Sequence, residues 1–147
     1  MNNTNIVENI IEQIRVISTY IYRQFHSREF AYRNALAHEL QIRNYSVLVE
    51  VPITYRYKDT KGNIINIGMG KADIMAYIPN QPVVIIIELK AREPFLMRKI
   101  ETKDIIQIEE YVHALQMEYP EYAVVGLLIN FQIPIGNAPE MYIARGE

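Results

Sequence analysis

Glu88 and Lys90 stand two residues apart at the end of the run Val83-Val84-Ile85-Ile86-Ile87, and fourteen residues separate Glu88 from Asp73. On an extended chain alternate side chains share a face, so Glu88 and Lys90 point together and Leu89 points away. Five consecutive β-branched residues favour a buried strand. Charges on such a strand need a cation, an ion-pair network or open solvent, because burying unpaired charge is expensive. With Asp73 on the preceding strand candidate, the set suits phosphodiester hydrolysis. Asp73 and Glu88 are candidate ligands of one hard cation, Mg²⁺ or Mn²⁺, which neutralises a non-bridging oxygen and lowers the pKa of an attacking water. Lys90 is the candidate that orients or deprotonates that water and stabilises developing charge. Glu29, on an upstream helix, is a candidate for a second ion or a metal-bound water. Gln107, on a downstream helix, is a candidate for a hydrogen bond to Lys90 or to substrate.

Simpler readings of the same residues stay open at this point. Glu88 and Lys90 also suit a solvated strand end or a mutual ion pair. Glu29 also suits the favourable first turn of a helix, and Gln107 a helix surface. Tyr32 reads as a packing residue or as one hydrogen-bonded to a neighbouring strand.

The elements that must position these groups follow from periodicity. Ile6, Ile10, Ile14, Ile17, Ile21 and Phe25 recur every three or four residues and predict a helix from Thr4 to about Phe25. A second helix is expected over Ser27–Arg43, with Ser27 as N-cap, Phe30, Leu36 and Leu40 as its apolar positions, and Asn44 as its stop. The period then becomes two: Val47, Val49, Val51, Ile53, Tyr55 and Tyr57 predict one face of a long strand. Asp59 to Asn63 supplies a turn, Ile64 to Met69 a hairpin partner, and Lys71 to Ile78 a further strand. Gly68 and Gly70 predict a bulge or a close backbone approach just before Asp73. After the strand that ends at Lys90, Pro94 interrupts the chain, and a helix is expected from Arg98 to Tyr119 with Ile105, Ile108, Val112 and Leu115 inward. Tyr122 to Asn130 reads as a second buried strand, parallel to the first across the helical crossover. Met141 to Ala144 adds a short edge strand.

A chain of 147 residues fits one domain spanning 1–147. Half its residues are hydrophobic and 22% are charged, ordinary for an α/β protein. The absence of cysteine excludes disulfides and thiolate metal sites, and suits an intracellular setting. His26, His38 and His113 lack the close spacing of a zinc site. No segment has the length and apolarity of a membrane span, so a soluble protein is expected. The net charge of −2 excludes a generic nucleic-acid coat protein, which neutralises many phosphates, but not an enzyme. Arg92, Arg98, Lys99 and Lys103 form the densest basic stretch, readable as a phosphate-contacting patch or as a solvated helix start. The eleven tyrosines mostly alternate with apolar residues and read as strand positions rather than as base-stacking groups.

The order αβββαβ, with Asp73 and then Glu88-Leu89-Lys90 across a hairpin, resembles the PD-(D/E)XK nuclease superfamily. More narrowly, the chain is similar to the GxxExxY family, a small nuclease-like group. Glu29-Phe30-Ala31-Tyr32 matches E-x-x-Y, with His26 at the family's leading glycine position. The resemblance runs on through Glu50 to Ile53, Ala72-Asp73, Ile87 to Lys90, Gln107 to Tyr111 and Gly126 to Phe131. It implies an α/β (α+β) fold with a mixed sheet flanked by helices, and a metal-dependent nuclease acting on DNA or RNA. A catalytically inactive module that keeps the fold for binding is the alternative. A homo-oligomer or protein partner, seated on Met97 and exposed apolar helix faces, is a further expectation.

Overall fold

Isoleucines three and four apart give the first helix, α1 (Asn3–Gln24), a single inward stripe: Ile10, Ile14, Ile17 and Ile21 are buried. A computed structural model describes residues 3–91, 99–135 and 138–146. After α1 come α2 (Glu29–Ile42), β1 (Ser46–Lys58), β2 (Ile64–Tyr77), β3 (Val83–Lys90), α3 (Thr102–Glu118), β4 (Ala123–Ile135) and β5 (Ala138–Arg145). The order from α2 to β4 is the αβββαβ read from the sequence. The strands form one sheet in the order β1-β2-β3-β4-β5. β3 and β4 are parallel, and the other neighbours are antiparallel. Helices α1 and α2 cover one face, where Ile85, Ile87, Leu89, Leu127 and Ile129 are buried. Helix α3 covers the other, over Val84, Ile86, Val124 and Leu128.

β3 is buried along its whole length. Its five β-branched residues contribute about 2 kcal/mol each on burial. That gain offsets a cost of several kcal/mol for each ion taken out of water, which is how one strand can carry Glu88 and Lys90 at its end.

Several expectations change. The segments taken as a hairpin partner and a further strand are one continuous strand, β2. Neither glycine breaks it, since the chain absorbs the irregularity as a bulge: Tyr55 pairs with Gly68 and Arg56 with Asn66, which leaves Ile67 as the extra residue. Helix α2 starts one residue later than expected, with Arg28 rather than Ser27 as N-cap and no side-chain cap. Phe30 is 56% exposed, because the inward face of α2 is centred on Tyr32, Leu36 and Leu40 and residue 30 lies roughly 120° round the helix from that centre, on its flank.

A further change concerns β1, whose side chains do not keep to one face. Val47 packs with the α1–α2 layer, whereas Val51, Ile53 and Tyr55 pack under α3. The switch occurs at Glu50, which has left-handed backbone (φ 53°) and lies between the pairs Val49–Ile74 and Val51–Ala72. β2 switches with it: Ile74 and Ala76 join the α1–α2 layer, and Ala72 joins the α3 layer. Asp73 sits at that crossover. Arg33 of α2 anchors Glu50 through a 2.9 Å ion pair.

Asn44 ends the second helix as expected, in left-handed conformation, its amide donating to the Gln41 carbonyl. Ile108, Val112 and Leu115 are buried beneath α3. That helix begins at Thr102, past Arg98, and the expectations placed on Arg92, Pro94, Met97 and Arg98 lie outside the described residues. β5 is longer than the short strand expected and pairs antiparallel with β4.

Candidate functional site

β2 and β3 pair through their backbones only from Tyr77–Val84 to Ile74–Ile87, and beyond that point they fork. Two carboxylates close the fork. Glu88 Oε1 accepts the Asp73 amide at 3.1 Å, and Asp73 Oδ2 accepts the Leu89 amide at 2.7 Å. Each acid satisfies a backbone donor, so the fork leaves neither amide orphaned.

Lys90 follows on the same side of β3. Its Nζ lies 3.5 Å from Glu88 Oε2 and 3.8 Å from Asp104 Oδ1 on α3. Glu88 and Lys90 are only 6% and 7% exposed. Burial pushes the Glu88 carboxyl up to about 8, the neighbouring Asp73 charge pushes the same way, and the Lys90 ammonium pulls back against both. Glu88 and Asp104 both face this one ammonium, and Asp73 lies beside Glu88.

The α3 side of the cluster is aromatic. Tyr111 is buried, donates its hydroxyl to the Lys71 carbonyl at 2.9 Å, and stacks on Tyr55 with ring centroids 6.1 Å apart. Its phenol pKa is raised, first by burial and then by the Glu88 charge. Gly70 admits both rings, since a Cβ there would lie 2.9 Å from Tyr111 Cε1.

Glu29 approaches from the opposite layer. Its Oε1 accepts the Ala91 amide at 3.2 Å, at the residue after Lys90. One turn on, the buried Tyr32 hydroxyl accepts from the Ser27 amide at 3.2 Å and donates to the Phe25 carbonyl at 3.4 Å, while its ring stacks on Phe131 at 4.1 Å. The E-x-x-Y spacing therefore ties the end of β3 to the α1–α2 connection. Gln107 is half-buried on α3, one turn from Asp104. Among the described residues, no three or more His, Asp or Glu side chains lie close enough together to hold an ion. Asp73 and Glu88 alone still offer hard oxygen donors from adjacent strands, and Mg²⁺ is commonly held by one or two carboxylates plus waters.

The sequence model of the PD-(D/E)XK nuclease superfamily matches residues 4–141. The chain belongs to that superfamily. The match spans the whole αβββαβ core and the fork that carries Asp73, Glu88 and Lys90. Comparison with curated proteins finds no match. Nucleases of the PD-(D/E)XK superfamily typically use divalent metals, and membership points to a nuclease-like function with nucleic acid as the substrate class. Among the described residues no helix is long and apolar enough to cross a membrane.

Two members of the cluster escaped the sequence reading. Asp104 and Tyr111 lie three residues before and four after Gln107, the spacing of one helical face, and that face turns toward Glu88 and Lys90. Helical spacing from Gln107 was the available signal.

Proposed function

We propose that this protein is a Mg²⁺- or Mn²⁺-dependent nuclease that cleaves phosphodiester bonds in DNA or RNA. The observation that carries the reading is the fork: Asp73 and Glu88 meet where β2 and β3 part, with Lys90 beside them. Asp73 and Glu88 would hold the ion, and Glu29, at the end of β3, would take a metal-bound water or a second ion. The bound ion would supply charge neutralisation at a phosphate oxygen and acidify a water. Lys90 orients that water and stabilises negative charge on the phosphoryl oxygens, in a buried setting where a fixed ammonium acts more strongly than in bulk solvent. Gln107, one turn along the helix from Asp104, bonds substrate or Lys90. Glu29 and Tyr32 support the narrower kinship with the GxxExxY group.

The direct test is cleavage of single- and double-stranded DNA and RNA with Mg²⁺ or Mn²⁺. Wild-type protein should cleave at least one of them, and Asp73→Ala and Glu88→Ala should each abolish that cleavage. Equal activity in both variants would remove the assignment.

One observation favours a second reading, a non-catalytic binding module on the same fold. Glu88, Lys90 and Asp104 already neutralise part of one another's charge. Calorimetric titration with Mg²⁺ and Mn²⁺ separates the two: no heat at millimolar metal supports the module, and binding lost in Glu88→Gln supports the enzyme.

A further inference from the structure

We infer that Asp104 is the positioning residue for Lys90, an inference that rests on the nuclease reading above. Asp104 uses its two oxygens differently. Oδ2 accepts the Glu101 amide at 3.2 Å and so closes the first turn of α3, while Oδ1 faces Lys90 Nζ at 3.8 Å. The first bond fixes the carboxylate's rotation, and the packing of Ile108, Tyr111 and Val112 fixes α3 on the sheet. Lys90 is thereby anchored from two separate elements, by Glu88 on its own strand and by Asp104 on the helix above. A flexible four-carbon stem with one anchor can swing, whereas two anchors set where the ammonium points.

A helix-capping role alone does not account for this placement. A cap needs one oxygen and no burial, yet Asp104 is 9% exposed, while Glu109 and Glu110 on the same helix are exposed. A buried acid at this place has its partner in the ammonium it faces.

Asp104→Asn separates the two roles, because the carboxamide oxygen can still accept the Glu101 amide while the charge facing Lys90 is lost. With Mg²⁺ and a cleaved oligonucleotide, kcat should fall about tenfold to a hundredfold, the scale of a misplaced reacting group, with KM within about twofold. In a Lys90→Met background the same substitution should cause no further fall. Urea unfolding of the four proteins without metal supplies an arm independent of activity: the midpoint drop from Asp104→Asn should disappear once Lys90 is Met, with Lys90→Gln as the substitute if Lys90→Met does not fold. Equal midpoint drops in both backgrounds would leave Asp104 as a cap only and overturn the inference, as would an unchanged kcat in Asp104→Asn. A wild-type protein that cleaves nothing sinks the nuclease reading and the positioning role with it, while the urea cycle still reports whether the pair exists.

Discussion

Gly70 lies directly beneath the ring of Tyr111, so close that a methyl group at position 70 would reach 2.9 Å from Cε1. The ring cannot retreat without releasing the Lys71 carbonyl, and the Tyr55 hydroxyl stands closer still to where that methyl group would be. Gly70→Ala is therefore expected to destabilise the protein by about 1–3 kcal/mol through overpacking. Urea unfolding measures this, and a change below ~0.5 kcal/mol would mean that the aromatic pair is not fixed as described.

Glu88 burdens the fold in the alkaline direction. Its carboxyl is raised from 4.5 to about 8, so the folded state binds a proton there more tightly than the unfolded chain. The sign follows: the penalty is absent below about pH 4.5, grows as pH rises and is complete above about 8. Glu88→Gln is expected to be more stable than wild type at pH 8 by on the order of 3 kcal/mol, with the difference shrinking toward pH 4.5. Metal-free unfolding curves at several pH values check it, and a pH-independent difference would contradict it.

Asp73→Asn should move that pH dependence downward, because the Asp73 charge is one of the causes that raise Glu88. The carboxamide oxygen still accepts the Leu89 amide, so the fork stays closed. The pH at which Glu88 ionises, followed by carboxyl NMR, should fall.

Tyr32→Phe and Phe30→Ser form a contrasting pair on the first turn of α2. The first removes a hydroxyl bonded to Ser27 and Phe25 and should cost about 1 kcal/mol. The second changes a side chain that faces solvent and should stay within about 0.5 kcal/mol. Thermal unfolding of both separates a tyrosine that holds a turn from an exposed phenylalanine.

The sheet and its charged strand were legible because their signals are local. A run of β-branched residues, an i, i+2 charge pair and helical periodicity each speak through a few neighbouring side chains. That is why β3, α1 and the inward face of α3 match the expectation. The β1 pattern misled because strict alternation from Val47 to Tyr57 carries no mark of the left-handed turn at Glu50, which arises from tertiary contacts with Arg33 and β2. Phe30 misled for a related reason. Hydrophobicity says that a side chain gains by burial, but only the phase set by Tyr32, Leu36 and Leu40 says which residue is inward. Asp73, Glu88 and Lys90 were readable as a set, whereas the reciprocal bonds across the fork and the approach of Asp104 depend on how α3 lands on the sheet.

The backbone turn at Glu50 has one more effect. Because it hands β1 from the α1–α2 layer to the α3 layer, a single ribbon is stitched into both sides of the sheet. Asp73 sits on the seam, so the acid at the mouth of the fork stands where the two layers exchange their hold on β2.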